Sequence, residues 1–208
     1  MTISLSDAGK RFNRDWIFRH FNYQFESGHS YAITGPNGSG KSTLLQVLSG
    51  LMMVNEGKIQ FESSFPTSKL IDAEKIYQHV SICAPYLELV EEMTLREFLE
   101  FHQAFKPFLS GINSEIIIEV IGLEKSSNKQ IRFFSSGMKQ RVKLAQCIFS
   151  NSDIVLLDEP CTNLDITGIN LYHSLIENYT RDRLVIVSSN DEVEYRFCTN
   201  IISLAVAG

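Results

Sequence analysis

One short segment has the residue types and the spacing of a phosphate-binding site: Gly35-Pro36-Asn37-Gly38-Ser39-Gly40-Lys41-Ser42-Thr43. It follows the pattern G-x-x-x-x-G-K-[ST], whose glycines let successive backbone N–H groups face one point. Lys41 brings a positive charge to the β and γ phosphates, and the Ser42 hydroxyl is an oxygen ligand of the kind that Mg²⁺ prefers. A strand-like segment, 30–34, precedes the loop and a helix-like segment, 42–48, follows it. We therefore assign all nine residues to nucleoside triphosphate binding and prefer this to an ordinary glycine-rich turn.

Two carboxylates form a second candidate site about 120 residues after the loop. Residues 154–157 are all aliphatic, as in a strand that is buried on both faces of a parallel sheet, and Asp158 and Glu159 follow directly. Asp158 can hold Mg²⁺ through water, opposite Ser42. Glu159 can orient or deprotonate the water that attacks the γ-phosphoryl group. An acidic pair at a strand end is weak evidence alone, but together with the phosphate loop it predicts phosphoryl transfer to water.

Two aromatic residues near the N terminus are candidates for stacking on a purine ring. Phe12 and Trp16 lie in a polar and basic stretch, 10–16, between two segments that alternate like half-exposed strands. Composition alone favours ordinary packing over stacking for both rings. The residues alone do not decide between Phe12 and Trp16.

Length and composition restrict the class of protein. A chain of 208 residues fits one domain, and 44% hydrophobic with 21% charged residues is ordinary for a soluble globular protein. The net charge of −5 implies no general affinity for nucleic acid or for anionic membranes. No run approaches the ~20 apolar residues of a membrane helix, and the first ten residues lack the apolar core of a signal peptide. We therefore expect a cytoplasmic protein.

The elements that must position these residues indicate an α/β core with a helical insertion. Thr94 and Glu97 have the spacing of a capping box, and they introduce a helix with apolar residues at helical spacing. We expect Phe98, Phe101 and Phe105 to form the core of that insertion. The remaining predictions are strands at 2–6, 21–25, 58–62, 79–84, 154–157, 183–188 and 200–205, a loop at 63–75, and helices at 115–121, 137–149, 166–179 and 191–197.

In this order and spacing, four blocks of sequence resemble the ATP-binding subunits of ABC transporters. They are the phosphate loop, Phe134 to Arg141, Ile154 to Pro160, and Thr162-Asn163-Leu164-Asp165. The second block is similar to the family signature LSGGQ, and the fourth is similar to the family D-loop. The resemblance implies a P-loop NTPase core with a mostly parallel sheet, an N-terminal antiparallel β part and an inserted helical subdomain. Residues 1–208 would form a single ATP-binding domain, with its core at about 1–85 and 151–208 and its helical subdomain at about 86–150.

The resemblance also implies a mechanism, in which ATP binding and hydrolysis with Mg²⁺ drive an ABC transporter. Two copies would pack head to tail, so that each ATP touches the phosphate loop of one copy and Ser135, Ser136 and Gly137 of the other. Phe12 lies 23 residues before Gly35, where the family places its adenine-stacking aromatic, and this favours Phe12 over Trp16.

The partners implied by the resemblance are a second ATP-binding subunit, identical or different, and transmembrane permease subunits at the cytoplasmic face of the membrane. No nucleic acid is expected as a partner. Tyr86, Leu87, Leu89 and Val90 are apolar enough to line a groove for a short permease helix, with buried packing as the alternative. A soluble ABC ATPase of DNA repair or translation is less favoured, because the chain has neither a long coiled-coil insertion nor a second such domain.

The sequence departs from the family pattern at a few positions. Pro85 stands where the family has Gln, with Tyr86 or Glu88 as possible substitutes, and Asn190 stands where the family has its switch His. Asn can donate a hydrogen bond to the γ-phosphate, but it cannot carry charge or a proton. The signature has Ser136 and Met138 in place of Gly and Gln. We therefore predict an ATPase with slower or differently gated hydrolysis, whose catalytic residues are Lys41, Glu159 and Asn190. The alternative is a nucleotide-gated binding module with little hydrolysis.

Overall fold

The computed structural model describes residues 1–63 and 69–205 of the chain. The chain forms two compact units. The first unit comprises Met1–Ile82, Ser152–Asp158 and Asp182–Gly208. The second comprises Cys83–Asn151 and Glu159–Arg181. In the described part of the chain, no helix has the length and apolar character to cross a membrane.

The strands form an antiparallel and a mostly parallel sheet, as predicted. In chain order they are β1 (Thr2–Phe12), β2 (Asp15–Glu26), β3 (Ser30–Thr34), β4 (Glu56–Ser63), β5 (Lys69–Ile71), β6 (Val80–Cys83), β7 (Ile154–Asp158), β8 (Leu184–Ser188) and β9 (Asn200–Ser203). One sheet has the order β2-β1-β4-β5, and its pairs are antiparallel. The other has the order β6-β7-β8-β3-β9, in which the β7–β8, β8–β3 and β3–β9 pairs are parallel.

The loop predicted for 63–75 is wrong in part. Residues 69–71 are β5, which pairs with β4 through Phe61 and Ile71, and Ala73–Gln78 form a 3-10 helix that is capped by the Asp72 side chain. Strand β5 lies at the edge of its sheet and buries little surface. It therefore needs few apolar residues, and the polar sequence around it does not indicate a strand. Residues 64–68 of the predicted loop lie outside the described residues.

The core of the first unit holds the helix that starts at the phosphate loop. This helix, α1 (Lys41–Leu48), buries Leu44, Leu45, Val47 and Leu48 completely. They join a cluster with residues from both sheets, such as Ile3 and Leu156. Burying four aliphatic side chains stabilises this helix by roughly 6–12 kcal/mol. The loop in front of α1 is therefore attached to a fixed element.

The second unit is helical, as predicted for most of its length. Its helices are α2 (Leu95–Phe105), α3 (Ser114–Val120), α4 (Ser136–Phe149) and α5 (Ile166–Tyr179), with 3-10 turns at Glu124–Ser126 and Ile131–Phe133. Residues 159–181, which the sequence analysis assigns to the core, belong to this unit because α5 packs against α4. A short helix, α6 (Glu192–Tyr195), lies in the first unit.

Helix α2 confirms its predicted start and corrects its predicted core. Thr94 accepts from the Glu97 backbone N–H, and the Glu97 carboxylate accepts from the Thr94 N–H at 2.8 Å, which completes the capping box. Phe98 is buried, but Phe101 and Phe105 are 46% and 76% exposed. Leu95, Phe98 and Leu99 fill the inward face of α2. The rings of Phe101 and Phe105 therefore lie outside this face and pack on each other, with their centroids 4.9 Å apart.

Candidate functional site

The phosphate loop wraps around the side chain of Lys41. The ammonium group of this buried lysine donates to the carbonyl oxygens of Gly35 at 2.8 Å and of Pro36 at 3.3 Å. Ser39 N–H donates to the Pro36 carbonyl oxygen at 3.0 Å, and this bond closes the turn. The loop thus surrounds a fixed positive charge.

Two glycines allow the loop to take this path. Gly40 has φ 92°, and a Cβ there would lie 2.3 Å from Cγ2 of Ile17. Gly35 has φ 146°, and a Cβ there would lie 2.3 Å from the Leu204 carbonyl oxygen. Gly40 is also the N-cap of α1 and provides no side-chain cap. The first N–H groups of α1 are therefore available to an anion.

Asp158 lies at the edge of the sheet from which the loop emerges. It is the last residue of β7, it is 3% exposed, and it pairs in register with Ser188 of β8. Ser188 pairs in turn with Ile33 of β3, the strand that leads into the loop. The parallel register thus brings the ends of three neighbouring strands to one edge, with Asp158 on it.

The side-chain oxygens at this edge of the sheet are suitable ligands for Mg²⁺. The Ser42 hydroxyl is exposed at the start of α1, and Asp158 provides a buried carboxylate, which needs a cation or hydrogen-bond donors. Two further hydroxyl groups, Ser39 Oγ and Ser188 Oγ, are buried without a hydrogen-bond partner among the described residues. Buried polar groups normally have partners, so these two are suited to a bound phosphate or to metal-bound water. Oxygen ligands, phosphate oxygens and waters are the set that Mg²⁺ takes in nucleotide sites.

Asn190 lies directly on the phosphate loop. Its Oδ1 accepts from the Gly35 backbone N–H at 3.2 Å, and its Nδ2 donates to Oδ1 of Asn37 at 3.2 Å. The structure thus brings the predicted Asn190 together with the loop. The contact with Asn37 had no signal in the sequence, since the two residues are 153 positions apart.

The two candidate aromatic residues differ in how much of each ring is free. The Trp16 ring has the guanidinium groups of Arg11 and Arg19 at 5.4 and 4.5 Å, and a Cβ on Gly9 would lie 2.9 Å from its Cζ3. Its surface is therefore largely used by neighbours. Phe12 is 46% exposed at the end of β1, with the Lys10 ammonium group 5.5 Å from its ring centroid. These contacts favour Phe12 as the stacking residue.

In the second unit, Glu159 has an unusual backbone conformation. Glu159 is exposed, and its φ is 45°. This value lies in the left-handed region of backbone conformation, which residues other than Gly, Asn and Asp rarely adopt. Its carbonyl oxygen accepts from Thr162 N–H at 3.2 Å, and Asn163 is left-handed as well, with φ 65°. Strained residues of this kind concentrate at functional sites.

A buried amide that the sequence analysis missed holds this turn. Gln140, which is 5% exposed on α4, donates from Nε2 to the Pro160 carbonyl oxygen at 2.7 Å. In the sequence, Gln140 is part of the family-like Lys-Gln-Arg that follows the signature. A buried amide that donates to this backbone carbonyl oxygen fixes the turn next to Glu159 relative to α4.

The signature residues open α4. Ser135 is the N-cap and accepts from Met138 N–H at 3.2 Å, while Ser135 and Ser136 are both exposed. A Cβ on Gly137 would lie only 3.1 Å from the Asn163 carbonyl oxygen, so this position favours glycine. The exposed turn can therefore present a hydroxyl group and a helix N terminus to an anion.

The remaining site residues have local contacts. Asp165 caps α5 by accepting from Gly168 N–H at 2.8 Å, and its Oδ1 is 3.4 Å from Nη2 of Arg141. The carbonyl oxygen of Pro85 accepts from Nζ of Lys143 at 3.2 Å. Tyr86 is 45% exposed next to it.

A glycine-rich loop that opens a buried helix, with a carboxylate at the end of a nearby parallel strand, defines the class of P-loop nucleotide-binding proteins. Comparison with known proteins narrows this class. The sequence profile described as "ABC transporter" matches residues 18–162. The chain belongs to the ABC transporter family. The predicted family and the predicted fold class are thereby confirmed.

Individual relatives agree with this assignment, and one solved structure shares the fold. The uncharacterized ABC transporter ATP-binding protein YybJ of Bacillus subtilis is 32% identical over 90% of this chain and 85% of its own length. ABC transporter A family member 11 of Dictyostelium discoideum is 31% identical over 89% of this chain, which spans only 22% of that protein. The ATP-binding cassette MJ0796, solved as a dimer bound to ADP and Pi, superposes with a TM-score of 0.80 at 24% identity over 97% of this chain and 94% of that one.

Proposed function

We propose that this chain binds ATP together with Mg²⁺, hydrolyses it, and drives an ABC transporter through the ATP-dependent dimerisation of two such subunits. The observation that carries the proposal is the phosphate loop. It combines a buried Lys41 with the uncapped N terminus of α1. Triphosphate binding satisfies these donors with a ligand of opposite charge.

Within the site, each residue has a separate task. Lys41 and the backbone of residues 35–43 hold the phosphates, and Phe12 stacks on the adenine ring. Ser42 and Asp158 hold Mg²⁺, which neutralises charge on the phosphate oxygens. Glu159 orients the attacking water and accepts its proton. The exposure of its side chain suits a group that must meet water.

A second ATP-binding subunit completes each site in this proposal. The exposed Ser135 and Ser136 and the backbone at Gly137 then contact the nucleotide held by the partner. An exposed turn at the start of a 14-residue helix supports this role, because its N–H groups and one hydroxyl are accessible to a partner's phosphate. The dimer reported for the MJ0796 cassette is the precedent.

Permease subunits at the cytoplasmic face of the membrane are the further partners. The second unit exposes several large apolar side chains, among them Tyr86, Val90, Phe101 and Phe105. Leu89 of the predicted groove is buried, so only part of that segment is available for docking. Phe101 and Phe105 pack on each other, and an exposed apolar cluster supports a protein-binding surface.

The alternative function is a nucleotide-gated module that dimerises on ATP and hydrolyses little of it. Pro85 and Asn190 in place of Gln and His favour this alternative. The intact Asp158 and Glu159 favour the enzyme, because the metal ligand and the base are both present.

Replacing Glu159 by Gln separates the two functions. The change keeps the size of the side chain and removes the base, so we expect ATP turnover to fall at least a hundredfold, in the range of general-base contributions. ATP binding is expected to persist, and an ATP-dependent dimer is expected to accumulate. Phosphate release by the purified chain, with size-exclusion chromatography in ATP and Mg²⁺, measures both quantities.

Two results would contradict the proposal. Equal, negligible turnover by both proteins, with ATP-dependent dimers in both, would support the gated module. A chain that binds neither ATP nor ADP would exclude both functions. Lys41→Met serves as the control for phosphate release by contaminating enzymes.

A further inference from the structure

Both polar atoms of the Asn190 amide form hydrogen bonds to the phosphate loop. Oδ1 accepts from Gly35 N–H, and Nδ2 donates to Oδ1 of Asn37, each at 3.2 Å. Gly35 is the first residue of the loop, and Asn37 lies two positions further on. The Asn190 side chain therefore connects Gly35, the first residue of the loop, to the exposed residue Asn37.

An amide suits this position better than an imidazole. The oxygen and one N–H of an amide point to the same side, so they can meet an N–H and an oxygen that lie next to each other. The two ring nitrogens of a histidine point away from each other, and a neutral ring has only one donor. Asn190 can thus form both bonds at once, and a His at this position could not.

The backbone on both sides of Asn190 is fixed. Ser189 N–H donates to the Ile33 carbonyl oxygen at 3.1 Å, which ties it to β3, and Ser189 itself is buried. On the other side, Asp191 N–H donates to Oγ of Ser189 at 2.9 Å, and Asp191 caps α6 by accepting from Val193 N–H at 3.0 Å. The amide is therefore held over the loop by its neighbours.

The contacts of Asn190 do not use the hydrogen-bond donors at the α1 end of the phosphate loop. They involve Gly35 and Asn37, while the N terminus of α1 begins at Gly40 and Lys41. Asn190 can thus remain in place when a nucleotide is bound. From that position it restricts the conformations of the free loop, so less conformational entropy is lost when a nucleotide binds.

We propose that Asn190 is a positioning residue of the phosphate loop, which sets nucleotide affinity through Gly35 and Asn37 and does not act through the γ-phosphate. This inference rests on the proposed ATP binding and differs from the predicted catalytic role of Asn190. Because the α- and β-phosphates are common to ADP and ATP, a loop that is less well ordered weakens both nucleotides equally. A contact to the γ-phosphate would affect ATP alone.

The test compares ADP and ATP binding in Asn190→Ala. We expect both dissociation constants to rise by the same factor, about tenfold for the loss of two hydrogen bonds. Trp16 is the one tryptophan in the sequence and lies on the same β1–β2 hairpin as Phe12, so its fluorescence can report binding, with calorimetry as the check. Urea unfolding without nucleotide controls for damage to the fold.

A double-mutant cycle and a family-like variant complete the test. Asn37→Ala removes one of the two bonds, so it is expected to weaken ADP and ATP equally, but less than Asn190→Ala does. The double variant is expected to bind both nucleotides no more weakly than Asn190→Ala. Asn190→His is expected to bind both nucleotides more weakly than the natural chain.

Three results would overturn the inference. They are a loss confined to ATP, additive effects of the two alanine changes, and an Asn190→His variant with unchanged affinity and faster turnover. Failure of the natural chain to bind either nucleotide would instead contradict the proposed function.

Discussion

The helices α1 and α4 both begin at a glycine-containing turn, but they begin in different ways. The N-cap of α1 is Gly40, which is left-handed and offers no side chain to the first turn. The N-cap of α4 is Ser135, which has extended backbone and accepts from Met138 N–H. The first helix leaves its N-terminal donors open, and the second satisfies one of them within the chain.

The difference indicates which of the two helix N termini needs a bound ligand to satisfy its backbone N–H groups. Unsatisfied N–H groups at a helix start are a cost that an anion removes, and at α1 they lie beside the buried charge of Lys41. At α4, the serine cap contributes about 1 kcal/mol whether or not a nucleotide is present. In the proposed function, the turn at α1 therefore gains hydrogen bonds when phosphate binds, and the turn at α4 is a stable surface that would add to a site held elsewhere.

The largest expected effect comes from closing the open turn. In Gly40→Ala, the new methyl group would lie 2.3 Å from Cγ2 of Ile17, at a residue whose φ is 92°. Either Ile17 or the loop must then shift, and the positive φ adds strain in the loop itself. We expect ATP affinity to fall about a thousandfold, which is about 4 kcal/mol. Titration of Trp16 fluorescence with ATP measures this loss.

Gly28→Ala is the matched control for that prediction. Gly28 is also left-handed, with φ 79°, but a Cβ there meets nothing within 4 Å. The Gly28→Ala substitution is expected to lower the free energy of unfolding by about 1–2 kcal/mol and to leave ATP affinity unchanged. Near-normal ATP affinity in Gly40→Ala would contradict the dependence of the site on this turn.

A smaller effect is expected at the other end of α4, which a neutral histidine helps to close. His102 Nε2 lies 2.9 Å from Ser150 Oγ, its Nδ1 lies 3.2 Å from Gln146 Nε2, and Ser150 Oγ donates to the Gln146 carbonyl oxygen. Gln146 can only donate to Nδ1, so the ring carries its proton on Nε2. Burial, with a contribution from the positive charge of Lys106, lowers the pKa of His102 to about 4.

The lowered pKa of His102 predicts how stability depends on pH. Between pH 6.5 and 4 the unfolded chain binds a proton at His102 that the folded chain does not. This stabilisation is therefore complete above pH 6.5 and is lost as the pH falls towards 4. Allowing for the partial exposure of the ring, we expect the free energy of unfolding to drop by about 1.5 kcal/mol between pH 7.5 and 5. Urea unfolding of the chain and of His102→Gln at both pH values measures this, and an equal drop in the variant would exclude His102 as its source.

The smallest expected effect is the loss of the cap on α4. Ser135→Ala should lower the free energy of unfolding by about 1 kcal/mol, while Ser135→Gly should cost only a few tenths, because glycine is tolerated at an N-cap. Urea denaturation without nucleotide measures both. Equal costs in the two variants would show that the bond to Met138 does not support the helix start.

The parts of the fold that could be predicted are those with a local cause. The strand before the phosphate loop, the aliphatic strand that ends at Asp158, and the capping box at Thr94 are all specified by neighbouring residues, and each is found as predicted. Strand β5 was missed because an edge strand needs little apolar sequence. Phe101 and Phe105 were misplaced because periodicity gives the spacing of a helix face but not its width.

Within the site, the residue types were predictable and their partners were not. The loop sequence indicates that Lys41 and Ser42 serve phosphate and metal. That Asn190 holds Asn37, or that Gln140 holds the Pro160 carbonyl oxygen, depends on strand order and on helix packing. Such contacts join residues far apart in the chain, and no local pattern encodes them.

The left-handed conformation of Glu159 has a consequence for how this sequence can drift. A glycine at this position would adopt φ 45° without strain, so the substitution that best relieves the backbone also removes the carboxylate. Stability alone would therefore favour glycine at this position, and the proposed role of Glu159 as the base in turnover would oppose that change. Glutamate at this position is then a local loss of stability that its proposed catalytic role accounts for.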